Sequence, residues 1–121
     1  MQSSKPELKQ RTYIFALEIL KFIDLLSQDQ SSKIIANQLL RSAMSIGANV
    51  IEAQASSTRK DFTNFFNHAL KSANETKFWL GLLRDSGKAK EEKVNQLLKE
   101  TIELANILGS SILTLKGKRR F

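Results

Sequence analysis

The chain has 121 residues, 19 Lys and Arg against 12 Asp and Glu, a net charge of +7, and no cysteine. One domain over residues 1–121 is expected, with room for four or five helices and no second core. Disulfides, thiolate metal sites and a cysteine nucleophile are excluded, and the positive balance favours polyanionic partners. The start "MQSSKPELKQ" lacks the basic-then-apolar layout of a leader. No apolar run approaches the ~18 residues of a membrane span, so a cytoplasmic, membrane-free protein is expected.

One Pro and five Gly leave little punctuation inside the chain. "SKPE" opens the first helical segment, with Ser4 as expected N-cap and Glu7 as its capping-box partner. Its core stripe is Leu8, Thr12, Phe15, Ile19, Phe22, Ile23 and Leu26. "SQDQSS" leads into a second segment with Ile35, Ala36, Leu39, Ala43, Ile46 and Val50 on its stripe. "ASSTRKDF" follows, where Thr58 and Asp61 form another capping box. The third stripe runs Phe62, Phe65, Phe66, Ala69, Ala73, Thr76, Leu80 and Leu83. After "RDSGKAKEE" the fourth runs Val94, Leu97, Leu98, Thr101, Ala105, Leu108 and Ile112. Spacings of three and four predict four helices, and short connections make consecutive helices antiparallel. The expected fold is all-α, an up-down-up-down four-helix bundle.

Apolar residues remain outside those stripes: Ile14, Leu17 and Leu25 in the first segment, Phe78 and Leu82 in the third. Two surplus stripes in so small a protein predict a homo-oligomer interface. Antiparallel order also gathers Lys5, Lys9, Arg11, Arg59, Lys60, Lys116, Lys118, Arg119 and Arg120 at one end, the last four in the basic tail 116–121. Cations there complement the last helix's dipole, but Arg59 and Lys60 stand in a first helical turn, where positive charge is unfavourable. Such a patch suits phosphate neutralisation. Arg59, Lys60, Lys116, Lys118, Arg119 and Arg120 are therefore the expected nucleic-acid contacts, to RNA or DNA backbone without base readout.

Catalytic chemistry has little support. The single histidine, His68, lies on the flank of the third helix, and no phosphate loop, HExxH or Glu-x-x-His pair occurs. Glu52 and Glu75 are candidates for an acid pair in principle, but catalysis would need a pocket and a perturbed environment around them. No catalytic residue, metal ligand or cofactor is expected.

A strip of Gln38, Ser42, Ser45, Asn49 and Glu52, bordered by Arg41, is placed by 100° steps away from Leu39, Ala43 and Val50. Short side chains there let another helix approach, and Asn and Glu need defined partners. "QLLRSAMSIGANVIEA" and "STRKDFTNFFNHALKSANE" resemble the four-helix-bundle proteins encoded in intervening sequences of bacterial 23S rRNA genes, sometimes labelled ribosomal proteins. The shared pattern falls on Gln38, Leu39, Arg41, Ser42, Ala43, Ser45, Ile46, Asn49, Glu52, Thr58, Asp61, Phe62, Ser72 and Glu75. Ala53 and Lys71 depart from it, standing where members usually place Gly.

The resemblance implies a small bundle assembling into a ring, commonly a homopentamer, without established enzymatic activity. Similar proteins, the accessory variability determinants of diversity-generating retroelements, form basic pentameric barrels that bind nucleic acid and a reverse transcriptase. A polar network of Arg41, Ser45, Asn49, Glu52, Ser72 and Glu75, within or between subunits, is expected. An adaptor for an acidic protein such as a reverse transcriptase is the alternative function.

Overall fold

A computed structural model describes residues 7–117; Ser4, Lys5, Lys118, Arg119 and Arg120 lie outside the described residues. It contains α1 (Leu8–Asp24), α2 (Gln30–Ala55), α3 (Arg59–Asp85) and α4 (Glu91–Leu115), and no strand among those residues. Each helix packs on its chain neighbours, and α1 closes the bundle by a lighter contact with α4. Cross-helix bonds give the directions. Ser45 meets Ser72 while Ser42 meets Thr76, and Arg11 meets Glu103 while Glu18 meets Lys93. Numbers rise along one helix as they fall along the other, as an antiparallel bundle requires.

The expected stripes form the core. Phe15, Ile19, Leu39, Ile46, Val50, Leu80, Leu83, Val94 and Leu108 are all buried, and Leu8, Ile23, Ile35, Phe62, Phe65 and Leu98 pack half-buried around them. Leu104, absent from the expected stripe, is fully buried. The apolar arc of α4 is one position wider than the minimal three-four pattern, because that helix faces both α1 and α3.

Two helix ends explain themselves locally. Thr58 is extended and its hydroxyl accepts the Asp61 N–H at 3.0 Å, one half of the expected capping box. At the other end of α3, Gly87 has φ +77°, with Lys88 N–H on the Leu83 carbonyl and Gly87 N–H on the Arg84 carbonyl. This left-handed cap closes the helix and turns the chain toward α4. A Cβ there meets no atom, so the backbone conformation alone sets the effect. Gly87→Ala is expected to cost about 1 kcal/mol in urea unfolding; an unchanged midpoint would show that the turn rearranges freely.

The start of α1 differs from expectation. Glu7, with ψ 160°, is the N-cap, and its carbonyl takes the first helical bond from Arg11 at 2.9 Å. The Ser4–Glu7 capping box therefore does not describe this helix start. Leu8, the first residue of the helix, is already packed against the core.

Gly47 sets how closely α1 lies on α2. A Cβ built there stands 3.2 Å from Thr12 Oγ1 and 3.3 Å from Thr12 Cβ, so glycine permits the helices to meet at this level. At the far end of the bundle, Lys88 Nζ lies 2.9 Å from the Asp29 carboxylate. That bond ties the α3–α4 turn to the start of α2. The Ser32 hydroxyl, and then Lys88, hold the Asp29 carboxyl well below the usual carboxylate range.

Candidate functional site

The polar strip of α2 faces α3 of the same chain. Ser42, which the helical projection put away from the core, is fully buried. The projection went astray because both neighbours of α2, α1 and α3, bury an arc of it. Ser42 donates its hydroxyl proton to the Leu39 carbonyl at 3.2 Å, and the Thr76 hydroxyl has two acceptors in reach, the Ser42 oxygen at 2.9 Å and the Ser72 carbonyl at 2.8 Å. One turn along, Ser72 Oγ lies 2.9 Å from Ser45 Oγ, to which the Asn49 amide also donates at 2.9 Å. Small groups here let two long helices touch through hydroxyls instead of methyls.

Toward the surface, Arg41 is held by Gln38 and by the Glu75 carboxylate, and Glu75 also accepts the Trp79 indole N–H at 2.9 Å. Arg41, Ser45, Asn49, Ser72 and Glu75 thus lie along one interhelical seam. Glu52 is exposed and does not join it. Ser45 stands opposite Ser72, and Glu52 lies seven residues beyond it on one side while Glu75 lies three beyond Ser72 on the other. About 15 Å of helix axis therefore separates the two carboxylates, too far for an acid pair sharing one bond. His68 is exposed on the flank of α3.

Arg11 belongs with the fold and not with a free basic patch. Its side chain is 15% exposed, and its guanidinium bonds Glu100 at 2.6 and 3.1 Å and Glu103 at 2.9 Å. Glu100 and then Glu103 push its pKa well above the ordinary arginine value. This clasp supplies much of the polar contact between α1 and α4. Arg84 is likewise raised by Asp85 and reaches Asn95 on α4 at 2.8 Å.

At the same end, Lys9, Arg59, Lys60 and Lys116 are exposed and make no ion pair among the described residues. Of the described arginines, Arg11, Arg41 and Arg84 hold carboxylates, which leaves Arg59 as the unpaired one. It occupies the first turn of α3, where the helix dipole opposes it.

A second surface feature is apolar. Ile14, Leu17, Leu25, Phe78 and Leu82 are all exposed, Leu25 to 79% and Phe78 to 61%. Tyr13, Leu20 and Ile51, absent from the expected interface, are exposed as well. With Leu17, Ala16 and Met44 they line a groove of about 570 Å³ between α1 and α2. The signal was present in α1, whose apolar residues surround nearly the whole helix, a pattern ordinarily found in buried helices. Phe78 stacks edge-on against Trp79 with centroids 4.9 Å apart.

No described helix is long and apolar enough to cross a membrane. The sequence model of a family described as 23S rRNA-intervening sequence protein matches residues 4–110. Among solved structures, the crystal structure of a protein with unknown function from the S23 ribosomal protein family, from Bacteroides thetaiotaomicron, is similar to this chain. Its TM-score is 0.82 at 36% identity, over 88% of this chain and 98% of that one. No curated protein matches the sequence.

Proposed function

Given that the chain belongs to the 23S rRNA-intervening sequence protein family, we propose that it is a non-catalytic, self-associating bundle whose basic end neutralises nucleic-acid phosphates. The observation that carries this reading is Arg59, which has no carboxylate partner among the described residues and stands, next to Lys60 in sequence, at a helix start that disfavours it. A phosphate supplies the missing partner. Lys118, Arg119 and Arg120, outside the described residues, add charge to the same stretch of sequence as Lys116.

The apolar residues of α1, and on the diagonal helix α3 Phe78 and Leu82, form two separate self-association faces in this reading. Their exposure and the groove beside α2 support it, since soluble monomers rarely leave contiguous apolar surface uncovered. The resemblance set out above suggests five subunits. Light scattering during size exclusion is expected to give an oligomer for the unaltered chain and a smaller species for Leu17→Lys.

The phosphate assignment is tested by Arg59→Ala, Lys60→Ala and Lys116→Ala combined. The slope of log affinity against log salt is expected to fall in magnitude by about 2 to 3, at roughly 0.7 to 0.9 per lost contact, while the oligomer persists. Unchanged affinity and slope would sink the assignment. The groove also favours a second reading, an adaptor for an acidic protein such as a reverse transcriptase, because its apolar lining offers a partner a place to dock while the chain's net charge of +7 attracts an acidic one. That reading predicts that Leu17→Lys abolishes partner binding without changing the salt slope for nucleic acid.

A further inference from the structure

The outer face of α3 continues from the basic end as a strip of cations and amides. Lys60, Asn64, Asn67, Lys71 and Asn74 fall within about 80° of arc at 3.6 residues per turn, and extend about 21 Å along the axis. Lys60, Asn64, Lys71 and Asn74 are exposed and Asn67 is half-buried. None of the three asparagine side chains makes a hydrogen bond within the described residues, in contrast to Asn49 and Asn95, which do.

Three features separate this strip from an ordinary solvated face. Asparagine is a poor residue for a helix interior, where its amide competes with the backbone, yet three stand on one side of a single helix. No carboxylate lies among them. The acids of α3 are elsewhere: Asp61 sits in the capping turn, Glu75 is tied to Arg41 and Trp79, and Asp85 to Arg84. Finally, Lys71 is exposed and places a second cation about 16 Å along the axis from Lys60.

We infer that this strip binds an unpaired nucleic-acid strand, Lys60 and Lys71 meeting phosphates while Asn64, Asn67 and Asn74 meet base edges. The inference rests on the phosphate reading of the adjoining basic end and extends it from backbone to bases. Charge complementarity selects a polyanion. A carboxamide offers a donor and an acceptor side by side, the arrangement that matches base edges. Geometry selects an unpaired strand. A major groove of about 12 Å admits one helix, whereas α3 is flanked on both sides by α2 and α4, with helix axes typically 8–10 Å apart. Bases splayed from a single strand reach the outer face without that obstruction.

The test is anisotropy titration of the full chain with labelled mixed-sequence single-stranded RNA, single-stranded DNA and a duplex, each at two salt concentrations. The unaltered chain is expected to bind the single strands more tightly than the duplex. Asn64→Ala, Asn67→Ala and Asn74→Ala combined should weaken single-strand binding roughly tenfold with an unchanged salt slope and unchanged duplex binding. The variant should melt no lower than the parent, because Ala is the better helix former; this separates lost contacts from lost fold. Preference between the RNA and DNA arms assigns the strand's chemistry, and either preference upholds the strip. Equal binding by the triple variant, or a parent preference for duplex, overturns the strip while leaving the basic end intact. No binding of any of the three by the unaltered chain overturns both readings.

Discussion

Phe15→Ala is expected to lower unfolding stability by about 3–5 kcal/mol, the largest effect of any substitution considered. Phe15 is 2% exposed and stands in the middle of α1 between Thr12 and Ile19, both buried. Its importance follows from the unequal bundle: α2 and α3 share the broadest contact, whereas α1 meets α4 most lightly. With few alternative contacts to collapse onto the space left by the ring, the cavity term stays near its upper range. Hydrogen exchange should show the loss of protection concentrated in α1, leaving α2 and α3 protected. Measurement at several protein concentrations is needed, since the self-association proposed above would add to apparent stability. A loss below about 1 kcal/mol would mean that α1 is not anchored through this residue.

Ser42→Leu is expected to cost about 1–3 kcal/mol, while Ser42→Ala should be nearly neutral. Ser42 is fully buried in the α2–α3 seam, its hydroxyl 2.9 Å from that of Thr76. Leucine overfills this contact and pushes the helices apart at their most extensive interface. Alanine removes one hydroxyl, but Thr76 still has the Ser72 carbonyl at 2.8 Å and no buried donor is stranded. Equilibrium denaturation of the two variants checks both sides. If Ser42→Ala were as costly as Ser42→Leu, the hydroxyl pair and not the helix spacing would be what the site requires.

The helices were legible because their evidence is local. Stripes such as Phe15, Ile19, Phe22 and Leu26 repeat at the helical period, and Thr58 with Asp61 marks a helix start through bonds spanning only three residues. The Ser4–Glu7 box fails at Glu7, which caps the helix through its own carbonyl instead; Ser4 itself lies outside the described residues. The surplus apolar face of α1 was only partly legible. Ile14, Leu17 and Leu25 stood out by spacing, but Tyr13, Leu20 and Ile51 count as groove residues only once α2 lies beside α1.

The candidate site divides along the same line. The cations of the basic end could be gathered from the order of helices alone, since antiparallel packing dictates which termini meet. Which of them remain free could not: Arg11 and Arg59 look alike in sequence, and only the approach of α4 gives Arg11 its two carboxylates.

By itself, then, the sequence determined the four helices, most of the buried stripe on each, and the family pattern from Gln38 to Glu75, all carried by periodicity or short spacing. Only the tertiary structure decided that Ser42 is core, that Glu52 and Glu75 stand apart, and that Arg59 is the unpaired arginine of the described residues. Those outcomes depend on pairwise distances between helices, set by how small residues such as Gly47, Ser42 and Ala73 let the backbones approach, and no periodicity along one helix contains them.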